Sequence, residues 1–408
     1  MSDSSSVQLS FVEEDAWGEI PVSASPLILS EFRFTNESLT QNTETSQSEE
    51  IDAGGQVSDI IRTQIGAGGD VGIELSFGSH DPLLAGAYYD DFSTEVNETG
   101  LDLAITLPSP LNNTGIITNQ GGGSPDPFKN VIVGQFLRLT GSVSSPNNDG
   151  FYKVIAKNDT ASPQSLVVSP APPAAEVITG AALRGSFIRN NTIRKSFQIE
   201  KLFSDLSPLE RQRFSGMRIG ALDLNIAPGA IINGSFTFQG KQLILPDNNA
   251  SISNSAPVPL STDDVMNAVD NITDILIDGQ PITDQAGCFT NVQFTAGRGL
   301  RDQPCIGSLA LGGIGLNRFN ATGTIEAYFR DRALFERYIN FTETSVSFRA
   351  TLGGDSYVFD FPAVKFTSGE VVAGGNDQDV LTSLEFEAKR DATDGFMAAI
   401  TRIPAGTA

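Results

Sequence analysis

Apolar and polar residues alternate over short runs, a period of two that belongs to strands with one buried face. The clearest run covers residues 232–239. Ile232, Gly234, Phe236 and Phe238 point one way, and Asn233, Ser235, Thr237 and Gln239 point the other. Ahead of it, Ala227-Pro228-Gly229-Ala230 fits a type II turn, because Pro presets φ at the second position and Gly supplies a positive φ at the third. With a strand over about 218–226 before the turn, the unit is a hairpin. Leu384, Phe386 and Ala388 alternate with Glu385 and Glu387 in the same manner, after a turn at Gly374-Gly375-Asn376-Asp377. Helical patterning is brief. Asp81 as N-cap and Pro82 at the first helical position open a run to Tyr88. Residues 331–338, and the stretch after Ser261-Thr262-Asp263-Asp264 as far as Val269, also read as short helices.

The two hairpins belong to an internal repeat. Ser235-Phe236-Thr237-Phe238-Gln239-Gly240-Lys241 matches Ser383-Leu384-Glu385-Phe386-Glu387-Ala388-Lys389 at an offset of 148 (389 − 241). Earlier in each half, Ile73-Glu74-x-x-Phe77 matches Ile325-Glu326-x-x-Phe329 at an offset of 252 (325 − 73), and a short helical run follows each. The offsets differ because the first half carries an insertion of about 100 residues. It contains short strand-like runs between the Gly- and Pro-rich stretches Gly121-Gly122-Gly123-Ser124-Pro125 and Pro170-Ala171-Pro172-Pro173. The expected organisation is a first domain of residues 1–107 with 186–250, an inserted β-module at 108–185, a linker at 251–275 and a second domain at 276–408. The expected fold is mainly β.

Composition narrows the chemistry. The 408 residues carry 26 Lys and Arg against 49 Asp and Glu, a formal charge of −23, so binding nucleic acid by neutralising phosphates is excluded. One histidine, His80, makes His-rich metal centres and most Ser/His/Asp catalysis improbable, and it reads as a local hydrogen-bonding residue. Cys288 and Cys305 read as two reduced, buried thiols, with a bridge as the alternative. The glycine clusters Gly66-Ala67-Gly68-Gly69 and Gly312-Gly313-Ile314-Gly315 lack the Lys-Ser/Thr of a phosphate loop and read as turns or mobile loops. The acidic clusters around Asp149, Asp247 and Asp377 lack the spacing of a calcium loop. Paired carboxylates such as Glu13-Glu14 and Asp263-Asp264 are sequence neighbours, which on a strand face opposite ways and form no catalytic dyad. No catalytic, metal or cofactor residue is expected, and the chain reads as no enzyme. The opening Met-Ser-Asp-Ser-Ser-Ser lacks the basic and apolar regions of a signal peptide, and no apolar run is long enough to span a membrane.

A set of segments in order resembles a known family. It runs from Phe11-Val12-Glu13-Glu14-Asp15-Ala16-Trp17-Gly18 through Ser48-Glu49-Glu50-Ile51 and Val71-Gly72-Ile73-Glu74-Leu75-Ser76-Phe77-Gly78-Ser79. It continues with Arg194-Lys195-Ser196-Phe197-Gln198-Ile199-Glu200 and Phe214-Ser215-Gly216-Met217-Arg218-Ile219, and closes on the 227–241 hairpin. The chain resembles the major tail tube proteins of bacteriophages with long, non-contractile tails, a siphophage type, over most of its length to about residue 245. The resemblance implies two tandem tail-tube-type β-sandwich or incomplete-barrel domains, each with a short flanking helix. It implies a structural virion protein, assembled in the host cytoplasm, that polymerises into stacked rings around a negatively charged channel for DNA. Implied partners are further copies of the chain, the tape measure protein, the tail terminator and distal tail or baseplate proteins, with no membrane. With two tube domains per chain and six positions per ring, three chains give a pseudo-sixfold ring, and six chains are the alternative. The segments 41–64 and 297–313 are then expected to be assembly loops, with Glu49, Glu50, Asp52, Arg62, Arg298, Arg301 and Asp302 as their charged residues. A secreted adhesive or polysaccharide-binding β-protein, favoured by Asn-x-Ser/Thr triplets such as Asn97-Glu98-Thr99, is the rival reading; a head decoration protein or the tail terminator is a third.

Overall fold

The structure is a computed structural model that describes residues 2–23, 26–51, 53–109, 113–144, 147–160, 162–281 and 288–405. In the first half the main elements are β1 (Val7–Glu13), β2 (Thr40–Gln47), β3 (Ile60–Glu74) and α1 (Asp81–Tyr88). There follow β4 (Val96–Ser109), β5 (Thr114–Gly122), β6 (Phe136–Thr140), β7 (Gly150–Asn158), β8 (Ser165–Ser169) and β9 (Glu176–Arg189). Then come β10 (Phe197–Phe203), β11 (Glu210–Ile226) and β12 (Asn233–Gly240). The second half has β13 (Phe289–Gln303), β14 (Gly313–Tyr328), α2 (Ala333–Ile339), β15 (Thr344–Leu352), β16 (Asp355–Ala373), β17 (Val380–Ala388) and β18 (Ala399–Ile403).

One antiparallel sheet runs through both halves in the order β2-β3-β12-β11-β13-β14-β17-β16. In each half a hairpin, β2–β3 or β13–β14, is followed by a helix, and two later strands complete a four-stranded set. Each half also has one strand long enough to serve two layers. The start of β11 pairs with β10 and its end with β12. The start of β16 pairs with β15 and its end with β17. Both long strands change register at the same point, between Ile219 and Ala221 and between Phe366 and Ser368. Such irregularities bend a strand, here around the edge of the sandwich.

The alternation seen in the sequence holds. Ile232, Phe236, Phe238, Leu384, Phe386 and Ala388 are buried, and the predicted turn closes with Ala230 N–H donating to Ala227 O at 3.2 Å and Gly229 at φ +73°. These side chains join a single core across both halves, in which Phe294 meets Phe348, Phe359 and Phe361 with ring centroids 5.2–5.6 Å apart. Six of the eight residues of α1 are buried, and Tyr88 packs on Phe319 of β14 at 5.6 Å. The Phe11-to-Gly18 segment is tied down by a buried carboxylate. Glu14 accepts from Gly18 N at 2.7 Å, Gly216 N at 2.8 Å and Ser196 Oγ at 2.6 Å. Trp17 Nε1 donates to Gly216 O at 2.9 Å.

The inserted region is a closed barrel of six antiparallel strands, β4-β5-β8-β7-β6-β9 and back to β4. Its first strand starts at Val96, and it has a core of its own built on residues such as Leu103, Leu139, Val154 and Leu183. The barrel docks on the second half. The end of β9 pairs with β18, and Lys153 Nζ lies 2.7 Å from both Asp360 and Asp394 carboxylates. Arg349 of β15 sits 3.6 Å from the centroid of the Phe151 ring.

Four expectations are corrected. His80 is the N-cap of α1, not Asp81, whose carboxylate instead accepts from the Tyr357 hydroxyl and pairs with Arg402 at 2.7 Å. Residues 261–269 form no helix. Val265 and Asn267 bridge to Ser76 and Ile231, and Met266 is fully buried between them, so β-pairing and burial override the capping signal. Gly66 to Gly69 are strand residues of β3, not a loop; at Gly69, φ +144°, an added Cβ would meet Ser38 O at 2.4 Å, so glycine lets two backbones approach. Cys288 and Cys305 are free and exposed rather than buried. They flank the two ends of β13, about 50 Å apart along an extended strand, which excludes a bridge between them.

His80 does act locally. It is buried between Phe32 and Phe236, and its Nε2 lies 3.0 Å from Arg33 O, while Nδ1 has no partner. Burial therefore lowers its pKa to about 4. The unfolded chain, with a pKa of about 6.5, takes up a proton that the native state refuses, so stability falls as pH drops from about 6.5 towards 4. Between pH 7.5 and 4.5, His80→Gln should lose about 2 kcal/mol less stability than the unsubstituted chain in urea titrations. The buried carboxylates Glu14, Asp81 and Asp360, raised mainly by desolvation, act in the opposite sense but equally in both proteins. Identical pH slopes would show that His80 accepts its proton in the fold.

Candidate assembly surfaces

Three surfaces stand out, and all follow from the long sheet. The first is its outer face. Because the apolar side chains of β11, β12, β13, β14 and β17 point into the core, the alternate residues form the opposite wall. That wall is concave. It holds a groove of about 630 Å³ lined by Asp223, Asn225, Ser235, Gln293, Thr295, Thr322, Thr324, Glu385 and Glu387, with no Lys or Arg among its lining residues. Asp70 extends the same face on β3 and accepts from Thr237 Oγ1 at 2.7 Å. Thr295 Oγ1 donates to Asp223 across the β11–β13 joint. Hydroxyl groups hold two of the carboxylates in place, and the groove is polar and acidic, without cationic anchors for phosphate among its lining residues.

The second surface is the pair of sheet edges. Thr40–Gln47 pairs with β3 on one side only, and the end of β16, residues 368–373, pairs with β17 on one side only. Thr40 and Glu370 are exposed, as is Val372. Each edge leaves backbone donors and acceptors open to another strand, although on the first edge Leu39 N–H donates to Glu37 Oε2 at 2.9 Å and would exchange that partner on pairing.

The third surface is a pair of arms. The segments 41–64 and 297–313 leave the sheet as strand, over residues 41–47 and 60–64 and over 297–303, and form the ends of the β2–β3 and β13–β14 hairpins. The sequence conceals this, because Thr40–Gln47 is polar on both faces and shows no alternation. The arms meet, with Ile65 N–H donating to Leu309 O at 2.9 Å. Their tips carry aliphatic side chains into solvent: Ile51 and Ile306 are fully exposed, and Ile60 and Ile61 more than half.

The structure separates the seven expected residues. Glu49 and Glu50 lie at the tip of the first arm, where Ser58 Oγ donates to Glu50 at 3.1 Å, and Arg62 lies on its β3 strand opposite Thr45. Asp52 lies outside the described residues. Arg301 is exposed on the second arm. Asp302 accepts from Gln239 Nε2 at the base of that arm. Arg298 is engaged within the fold, donating to Asn317 O at 2.9 Å and Asn191 O at 2.6 Å and lying over the Tyr89 ring. Charge alone selected these positions. The exposed isoleucines beside them carry a signal that was legible, since an apolar residue in a polar, Gly-containing stretch has no core to enter.

Among the described residues no three His, Cys, Asp or Glu side chains gather in a way that could hold a metal ion, and no helix is long and apolar enough to cross a membrane. The chain thus presents one long antiparallel sheet with open edges, a polar groove on one face and projecting arms. The profile of the phage tail tube proteins matches residues 4–388, from the first turn to the last residue of β17, and the chain belongs to that family. It is a structural component of a phage tail tube. No curated protein matches the chain.

Proposed function

We propose that three copies of this chain close into one ring of the tail tube of a long, non-contractile tail, each copy contributing two tandem, duplicated tube domains. The observation that carries the reading is the joint inside the chain, where β11 of the first half pairs with β13 of the second over residues 221–226 and 292–297. In this reading that joint sets two neighbouring tube domains side by side as they would sit in a ring. The recurring order hairpin, helix, two-layer strand, final strand supports descent of the halves from one domain. In this reading the first tube domain is built from residues before and after the barrel, up to 250, the second from 276–408, and 251–275 links them.

Three rings of observations fit the assembly. The concave acidic face lines the channel, so DNA passes without adhering. The barrel, docked on the layer behind that face, projects outwards. The arms reach the neighbouring ring, where Ile51 and Ile306 become buried. The tape measure protein fills the channel before DNA does, and the tail terminator and distal tail proteins cap its ends.

Two outcomes test this. Native mass spectrometry of a ring should give about 130 kDa, three times the 43.3 kDa chain; about 260 kDa would mean six chains and overturn the three-chain ring. Ile51→Asp and Ile306→Asp should leave stability within about 0.5 kcal/mol, as expected for exposed sites, yet give rings or short stacks in place of long tubes by negative-stain microscopy. Normal tubes from both variants would remove the arms from stacking.

A further inference from the structure

The joint inside the chain also fixes how one chain meets the next. In that joint Ala221 faces Gly297, Asp223 faces Thr295, Leu224 faces Phe294 and Ile226 faces Val292. The strand that would supply the next joint is the end of β16. It holds the place of the end of β11: Ala221 follows the register change opposite Thr237, and Ser368 follows the matching change opposite Glu385. Residues 368–373 therefore correspond to 221–226.

The acceptor follows from the other edge. Gln239 pairs with Gly68 and Gly68 with Thr40, whereas Glu387 pairs with Thr322 and Thr322 with Thr295. Since Gln239 and Glu387 hold equivalent places, Thr40 holds the place of Thr295. The short strand Asn36–Glu37, paired to the same β3, continues this edge.

We infer that residues 368–373 of one copy add antiparallel to residues 37–42 of the next, with Glu370 opposite Thr40, Val371 opposite Leu39 and Val372 opposite Ser38. This register rests on the ring reading above. The side chains support it independently of the backbone. Thr40 and Glu370 repeat the threonine-to-carboxylate contact of Thr295 and Asp223. Leu39 and Val371 repeat the apolar pair Phe294 and Leu224 on the core side. A slip by one residue would turn Leu39 against a channel-facing position and lose both matches. A slip by two keeps the faces but sets Thr40 against Val372 or Ser368, neither of which offers a carboxylate.

Cysteine pairs test the register in a Cys288→Ser, Cys305→Ser background, which removes the two exposed native thiols. Directly opposed residues of an antiparallel pair lie within reach of a disulfide, whereas residues displaced by two do not. Mild oxidation of assembled Thr40→Cys/Glu370→Cys protein should give covalent trimers on non-reducing gels. Ser38→Cys/Val372→Cys, a second in-register pair, should do the same, so failure of one variant to fold leaves the other to decide. The off-register pair Thr40→Cys/Val372→Cys should cross-link at least tenfold less. Rings that cross-link best through the off-register pair, or through neither in-register pair, would overturn the register while leaving the ring intact. Covalent hexamers would confirm the edges and the register but overturn the three-chain ring. Absence of rings from the cysteine-free parent would overturn the ring reading itself.

Discussion

An open antiparallel sheet must satisfy or shield the backbone groups of its two outermost strands, and the rest of this structure depends on how that requirement is met. Inside the chain it is met once, where the free edge of the first half accepts the first strand of the second half and the two four-stranded sets become one curved sheet. The core follows the sheet: aromatic residues from both halves form one cluster instead of two, so the halves are held at a fixed angle by side chains as well as by strand pairing. What remains unsatisfied is one edge at each end of the sheet. In the proposed ring these two edges pair, each as the counterpart of a strand already paired within the chain.

The concave face follows from the same constraint. With alternate residues committed to the core, the others are free of packing, and along the groove they include carboxylates, hydroxyls and amides. Several basic residues are engaged within the fold: Arg298 with backbone carbonyls of Asn191 and Asn317, Arg218 with Ile314 O, and Lys153 with Asp360 and Asp394 behind the sheet.

Strands with a buried face were legible as alternation, and the 227–241 and 374–388 hairpins were readable to within a residue or two. The hairpins share a sequence pattern, but the Ile-Glu match is two residues out of the alignment that the strand registers give: Asp70 and Thr324 hold equivalent places, an offset of 254. A two-residue slip keeps every side chain on its face, so pattern alone cannot detect it. The arms were hidden for a different reason. Thr40–Gln47 is held by backbone pairing and has no apolar face, so it read as a loop. The closed barrel was read as a module without its shape, since closure depends on β4 and β9, which meet across some seventy residues of chain. His80 at the start of α1 and Met266 in a bridge both show tertiary burial overriding local capping signals.

The central claim is that the wall of the channel is one continuous sheet made from three chains. A cryo-electron microscopy map of the tube at a resolution that separates strands tests it directly. Each ring should show twenty-four antiparallel strands around the lumen, eight from each chain in the order β2-β3-β12-β11-β13-β14-β17-β16, with three barrels on the outside. A lumen lined by the barrels, or a ring with six barrels at equal spacing, would contradict the account.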